Sequence, residues 1–466
     1  MKEKCQVFTP ENYVSELLDS INYKTNILGK KVLENSCGDG NILKKIVQRY
    51  IEDGRKKALS KIEIAKGLER DIYGIEIDKE QYKKCLLELN QILETNSLPP
   101  IKWKIYNKDY LRWKCIERFD YIIGNPPYIT YKELTTDERF FLKKSFISCK
   151  QGKFDYCYAF IEKSYLSLST SGKMSYLIPN SIFKTVFGKK LRELILPSLV
   201  EIKDYTNNNI FKEALVKSAI IVINAKNKNK NVTYKDYSNN YKLKINSMEL
   251  GEKWIFASEK NKKKKRFGDF YRVSHVIATL FNRAFVLKNW EEKNNKIVCD
   301  NIIIEKEIIR IAATPRENKK KEYIIFPYYY QKGDLCHYTA EEFERTFPGA
   351  TEYLSKYREQ LDKRKKDKNT RWFEFGRSQA LKHINLKKLL LSTVITNSVK
   401  LYDVDKECIP YSGMFITAKG KNSLKRARQI LESDDFLKYV KNIGIHISGT
   451  SVRITSKDIM NYTFED

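Results

Sequence analysis

The chain has no stretch of about 18 uninterrupted apolar residues, so nothing in it reads as a membrane-spanning helix. Its first residues, Met1-Lys2-Glu3-Lys4, lack the apolar segment of a secretion signal, and a soluble, cytoplasmic chain is expected. The nine cysteines include no Cys-x-x-Cys pair and are odd in number, so neither a disulfide frame nor a zinc site is expected. Only four histidines occur, His275, His337, His383 and His446. They stand apart from every motif described below and receive no chemical role, and no metal site is expected.

What is abundant is positive charge. A formal net charge of +29 makes the surface attractive to polyanions through counterion release, and nucleic acid is the expected partner. Part of the excess reflects a composition rich in Lys, Asn and Ile, so charge alone does not name a function. At 466 residues the chain is long enough for two or three domains, each with its own core.

In the first half, short apolar strands alternate with amphipathic helices. Val14, Leu17, Leu18 and Ile21 recur at helical spacing after Phe8-Thr9-Pro10. A strand ending Val32-Leu33-Glu34 then runs into Asn35-Ser36-Cys37-Gly38-Asp39-Gly40 and a helix from Asn41. Glycines at 38 and 40 let a ligand approach the backbone closely in the first strand-to-helix turn, where open α/β sheets bind nucleosides. A second strand, Ile72 to Asp78, carries an acid at its end, placed to accept ribose hydroxyls. A helix near Lys79 to Leu93 follows, then strands at Lys102 to Tyr106, before Asp109-Tyr110, and at Phe119 to Ile123. Such alternation implies parallel β-α-β units. Every polar residue singled out falls after a strand's carboxyl end. A helix from Phe160, the strand Lys173 to Ile178, a helix near Lys189 to Leu196, and strands at Ile202 to Tyr205 and Ser218 to Ile223 complete this half. The sheet is expected to finish there with a strand pair.

The most specific element is Asn125-Pro126-Pro127-Tyr128, directly after the apolar strand. An exocyclic amine on a nucleobase is a poor nucleophile because its lone pair is delocalised into the ring. An Asn side-chain oxygen and a Pro backbone carbonyl can accept its two N–H groups and stabilise the positive charge that develops as it attacks a methyl sulfonium. Adjacent prolines are rigid and present carbonyls without competing N–H groups. An aromatic ring beside them is a stacking platform for a base lifted from a duplex.

Beyond Asn224 the composition turns to Lys and Asn, and Lys260 to Arg266 is nearly all basic. The expected division is a catalytic domain over 1–235, a basic linker over 236–266 and a second domain over 267–466. The second domain mixes short strands and helices with interleaved basic and aromatic residues. Candidate nucleic-acid contacts are Lys332, after Tyr328-Tyr329-Tyr330-Gln331, together with Lys363, Arg364, Arg371, Arg377 and Arg453. Asp300 with Glu317 and Lys319 imitates a nuclease triad, but Glu-x-Lys arises readily in a lysine-rich chain.

With these pieces in order, the chain resembles the amino-methyltransferases that act on adenine N6 in DNA, of the gamma subclass, in which the catalytic half precedes a target-recognition half. The resemblance runs motif by motif over about 6 to 224 and more loosely through Tyr323–Tyr330 and Leu361–Arg377. It implies a Rossmann-like S-adenosylmethionine-dependent methyltransferase sheet, an α/β fold, followed by a C-terminal α+β DNA-recognition domain. It further implies that Phe8, Thr9, Pro10 and the loop Glu34 to Gly40, with Ser36 and Gly38, hold S-adenosylmethionine. Glu76 takes the ribose diol, Asp109 the adenine amine, and Tyr110 and Phe160 the faces of the ring. Asn125, Pro126, Pro127 and Tyr128 hold the target adenine, with Phe211 stacking on its other side. Asn35 departs from the family, which usually has proline there.

The implied partner is double-stranded DNA, read by a monomer in the prokaryotic cytoplasm at the nucleoid, with a cognate restriction endonuclease as a further partner of a restriction-modification system. Cytosine-C5 methylation needs a Pro-Cys nucleophile, and no proline here precedes a cysteine. Methylases of RNA bases and of a protein glutamine share the tetrapeptide, and a catalytically silent DNA-specificity subunit is the alternative from another class.

Overall fold

The computed structural model describes residues 9–205, 217–227, 230–237, 240–256, 265–293, 296–316 and 321–465. Phe8, Phe211, Glu317 and Lys319 lie outside them. The chain divides into two compact units, Met1–Ser258 and Glu259–Asp466. Among the described residues no helix is long and apolar enough to cross a membrane.

The first unit is built on a nine-stranded sheet ordered β3-β2-β1-β4-β5-β7-β6-β8-β9. Its strands are β1 (Val32–Glu34), β2 (Ile72–Glu76), β3 (Lys104–Asn107), β4 (Phe119–Gly124), β5 (Leu168–Pro179), β6 (Leu199–Asp204), β7 (Ser218–Asn224), β8 (Asn231–Asp236) and β9 (Tyr241–Asn246). The first five are mutually parallel, and β7 is antiparallel to both β5 and β6. Pairing of Glu34 with Gly74 and of Glu76 with Asn107 brings the strand ends level. The loops after β1, β2, β3 and β4 therefore open on one edge, and the order reverses between β1 and β4, where doubly wound sheets leave a crevice.

The helices cover this sheet for reasons visible in their sequences. The helices are α1 (Glu11–Ser20), α2 (Asn41–Lys56), α3 (Lys61–Asp71), α4 (Lys79–Thr95), α5 (Thr136–Ser145), α6 (Cys157–Leu166) and α7 (Lys189–Ile195). In α4, Cys85, Leu89 and Leu93 recur every four residues and are buried, while Asp78 caps the helix by accepting from the N–H groups of Glu80 and Gln81 at 2.9 and 3.0 Å. Helix α3, unanticipated from sequence, begins with a Ser60–Glu63 capping box.

The β6–β7 pair forms but does not end the sheet, which continues into β8 and β9, and 236–266 does not form a linker throughout. Val232 and Tyr234 on β8 and Ile245 on β9 turn inward, and Trp254 behind them is buried. The lysines of these strands occupy the alternate positions: Lys235 on β8, Lys242 and Lys244 on β9.

The second unit is α+β. An antiparallel sheet of Tyr271–His275, Met414–Ala418, Lys388–Leu391 and Leu401–Val404 shares an apolar cluster with the helices Leu424–Leu431 and Asp434–Ile443. A separate hairpin joins Tyr328–Gln331 to Asp334–His337, turning at Lys332 and Gly333 with φ of 49° and 92°.

Candidate active site

At the β1/β4 crevice lies a cavity of about 480 Å³. Thr9, Glu34, Ser36, Gly38, Glu76, Asp109, Tyr110, Asn125, Pro127 and Phe160, spread over more than a hundred positions, all line it. The level strand ends are what gather them.

The glycine loop is held from beneath. Gly38 has φ of 52°, and its N–H donates to Glu76 Oε2 at 2.8 Å, while the Asp78 N–H donates to Glu76 Oε1 at 2.8 Å. Gly40 has φ of 93°, and a Cβ there would stand 2.9 Å from Cys85 Sγ, so packing of α4 as well as backbone conformation requires glycine. Glu76 is raised above the ordinary carboxylate range by burial, against the pull of the Asp78, Gly38 and Ile77 N–H groups. Glu34 is only 2% exposed, and burial, with the neighbouring Cys85 and Glu76, pushes it well upward. Its Oε2 has no hydrogen-bond partner.

Five carboxylates line the cavity (Glu34, Asp39, Glu76, Asp78 and Asp109), against two ammonium groups, Lys79 and Lys108. This is a strongly acidic hollow in a chain of net charge +29. It suits a cationic ligand and repels a polyanion. One wall is aromatic: the Tyr110 and Phe160 rings lie 5.3 Å apart at 42°, and Tyr156, which sequence reading left unassigned, meets Phe160 at 5.4 Å. The carboxylates, the aromatic wall and the orphaned Glu34 oxygen fit the sulfonium, amino group and nucleoside of S-adenosylmethionine.

Asn125 joins this cavity to the loop after β4. Its Nδ2 donates to Thr9 Oγ1 at 3.2 Å, and Ser36 Oγ donates to its backbone carbonyl at 3.2 Å. The Thr9 carbonyl in turn accepts from Asn41 Nδ2 at 2.7 Å, tying the N-terminal segment to the start of α2. Pro127 lines the same cavity, whereas Pro126 is buried behind it and half-buried Tyr128 packs beside an apolar cluster that includes Val14 and Leu17. Burial drives the Tyr128 hydroxyl pKa up.

Asn35, the departure from the family pattern, has a structural reason. It is 2% exposed, and its Nδ2 donates to Ser164 Oγ at 2.8 Å and to the Tyr176 hydroxyl. Ser164 also meets the Tyr110 hydroxyl at 3.0 Å and the Tyr176 hydroxyl at 2.6 Å. A buried polar knot thus joins the glycine loop, the Tyr110 turn, α6 and β5. A proline could not make it.

The nucleic-acid candidates all lie in the second unit. Lys332, Lys363, Arg377 and Arg453 are exposed, with Lys363 paired to Glu359 and Arg377 to Asp367. Arg371 is half-buried against Glu374 at 3.4 Å. Arg364 departs from expectation: its guanidinium donates to the carbonyls of Leu361, Thr279, Trp372 and Glu374 at 2.9, 2.5, 2.9 and 3.1 Å. Those contacts commit it to holding its own fold together and leave little of it for a phosphate.

The sheet of the first unit, mostly parallel with β7 antiparallel to its neighbours, is of the Rossmann-like α/β class. Residues 55–211 match the family model described as Eco57I restriction-modification methylase. The chain is similar to the Type II restriction enzyme and methyltransferase RM.Eco57I of Escherichia coli, 23% identical over 499 residues, covering 86% of this chain and 50% of that protein. It is also similar to the Type II methyltransferase M.BstVI of Geobacillus stearothermophilus, 30% identical over 247 residues, covering 50% of this chain and 44% of that protein. The chain thus spans about half the length of these two relatives. The Type IIL restriction-modification enzyme MmeI, solved in complex with DNA, shares the fold with a TM-score of 0.59 at 16% identity, over 97% of this chain and 64% of that one.

Proposed function

We propose that this chain is a site-specific DNA methyltransferase of the gamma subclass, moving a methyl group from S-adenosylmethionine to N6 of an adenine turned out of duplex DNA. The modification arm of a restriction-modification system is its setting, in keeping with the names of the matched family and relatives. The observation that carries the reading is that one acidic cavity is lined both by Glu34, Glu76 and Asp109 and by Asn125 and Pro127. A pocket suited to a cationic nucleoside and a motif suited to a planar amine therefore share one space.

When bound, S-adenosylmethionine supplies an electrophilic methyl group on a sulfonium. Glu76 binds the ribose hydroxyls, Asp109 the adenine amine, and Tyr110 and Phe160 the ring. The Asn125 side-chain oxygen and the Pro126 carbonyl accept the N–H groups of the target amine and stabilise its developing charge. Tyr128 stacks on the extruded base, and Phe211 is assigned to its opposite face. Extrusion costs a few kcal/mol, which contacts in the pocket offset. The second unit, through Lys332, Arg453 and their neighbours, supplies phosphate and base contacts.

Incubating the purified chain with radiolabelled S-adenosylmethionine and duplex DNA, ribosomal RNA or protein release factor tests this. Label is expected in DNA alone and, after digestion to nucleosides, as N6-methyladenine. Asn125→Ala should abolish transfer while sparing DNA binding. Label confined to RNA or protein refutes the proposal, as does N4-methylcytosine for the adenine assignment. Equal silence of wild type and variant on every duplex favours a specificity subunit.

A further inference from the structure

Lys163 lies on α6 three positions after Phe160, and its ammonium is enclosed by backbone oxygens. It donates to the carbonyls of Tyr110, of Leu111 at 3.2 Å and of Trp113 at 2.6 Å, and stands 4.6 Å from the centre of the Tyr110 ring. An ammonium has three donors, and three carbonyls take them all. These carbonyls belong to the turn after β3 that carries Asp109.

Within itself that turn is held only locally. Asp109 Oδ1 accepts from the Leu111 N–H at 2.9 Å, the Asp109 carbonyl accepts from Trp113 N–H at 2.8 Å, and Arg112 pairs with the Asp109 carboxylate at 3.3 Å. None of these contacts fixes its distance from α6. Lys163 does, together with the Tyr110–Ser164 hydroxyl contact at 3.0 Å. Helix α6 also carries Phe160, whose ring faces Tyr110 across the aromatic wall. The placing of the Tyr110 turn against α6 is therefore held, beside the Ser164 contact, by a charged group that does not itself line the cavity.

We infer that Lys163 is a positioning residue for the nucleoside end of the cofactor pocket, a half-buried cation that draws the 109–113 turn onto α6 and holds Asp109 and Tyr110 relative to Phe160. The inference rests on the reading of this cavity as the methyl-donor site. Charge is essential to the device, because a neutral amine has two donors and would turn a lone pair toward one of the three carbonyl oxygens. The groups facing Lys163 are the Asp109 carboxylate and the Cys115 thiol, both of which favour the charged form. Burial outweighs them and draws the ammonium down to about 8.

The experiment measures S-adenosylmethionine affinity by calorimetry from pH 6.5 to 9.5 for the full chain and for Lys163→Arg, Lys163→Met and Cys115→Ser, with adenosine and methionine as separate probes. Wild-type affinity is expected to fall as pH rises through about 8. Lys163→Arg, which stays charged throughout, should keep its affinity there. Lys163→Met should bind S-adenosylmethionine at least about tenfold more weakly at pH 7, the loss following adenosine and not methionine, with the alkaline decline gone; this corresponds to one lost charge-assisted contact set. Cys115→Ser should keep the alkaline decline, displaced toward lower pH because the group favouring the ammonium is gone. Lys163→Arg and wild type declining together above pH 8 would overturn the inference even if the Met variant fails to fold. Failure of wild type to bind S-adenosylmethionine at any pH would instead remove the cofactor reading on which the inference stands.

Discussion

Asn125 Nδ2 donates to Thr9 Oγ1 across 116 positions of sequence, at 3.2 Å. An amide that spends its N–H on a fixed hydroxyl has its oxygen direction fixed with it. Thr9 is itself immobilised, 4% exposed with its carbonyl held by Asn41. The N-terminal segment, expected from the resemblance to hold the cofactor, thereby also orients the residue assigned to the target amine. Thr9→Val keeps the shape and removes the acceptor. The loss of one hydrogen bond, about 1 kcal/mol, should appear as a roughly five- to tenfold lower kcat in single-turnover methylation, with a smaller change in S-adenosylmethionine Kd. A Kd rising as much as kcat falls would reassign Thr9 to cofactor binding alone.

The knot around Asn35 makes a second prediction. Asn35→Leu is similar in size but leaves the Ser164 and Tyr176 hydroxyls without their amide donor. Buried hydroxyls deprived of a partner cost roughly 1–3 kcal/mol. Thermal unfolding should shift down by several degrees, and cofactor affinity should fall with it because the same knot carries the glycine loop and Tyr110. Unchanged unfolding would show that the hydroxyls satisfy one another.

Arg364 and Lys332 looked alike in sequence and should behave oppositely. Arg364 is bound to four carbonyls of its own unit. Arg364→Ala is expected to destabilise by roughly 2 kcal/mol, on the order of 5 °C in Tm. Lys332 and Arg453 are exposed, and Lys332→Ala and Arg453→Ala should leave Tm alone. Each should reduce the salt dependence of DNA binding by about one ion equivalent in a log–log plot of affinity against salt. A reduced slope for Arg364→Ala with unchanged Tm would reverse the assignment.

These contrasts show which parts of the molecule the sequence discloses. The strand-helix alternation and the position of Gly38, Glu76, Asp109 and Asn125 at one sheet edge were legible, because local periodicity and chain order suffice to fix them. Strands β8 and β9 were hidden, since their inward residues are few and the lysines between them dominate the composition. Helix α3 carried a readable capping box at Ser60 that the eye passes over between two stronger elements. The roles of Lys163, Asn35 and Arg364 depend on which carbonyls and hydroxyls fold around them, and a lysine or arginine spent on backbone carbonyls has no local signature. Phe8 and Phe211 lie outside the described residues.

The buried carboxylates lead to a proton-linkage prediction. Glu34 and Glu76 are both raised, first by burial, so between the ordinary carboxylate range and their folded values the native state holds more protons than the unfolded one. In that window stability of the cofactor-free protein falls as pH rises, the reverse of an ordinary paired carboxylate. A bound cation changes the balance: a sulfonium or ammonium beside Glu34 favours ionisation, so cofactor binding should release protons. Calorimetry of S-adenosylmethionine binding at one pH within the window, in buffers of different ionisation enthalpy, reads this directly, and affinity should increase with pH across the part of the window that lies below the Lys163 titration. Glu34→Gln is expected to abolish part of the release and to weaken binding more toward the alkaline end of the window than toward its acid end, while leaving the cofactor-free protein as stable as wild type or more so. A binding enthalpy independent of the buffer would mean that Glu34 and Glu76 keep the same protonation with and without ligand, and that the acidic lining acts on the cation only through dipoles and backbone.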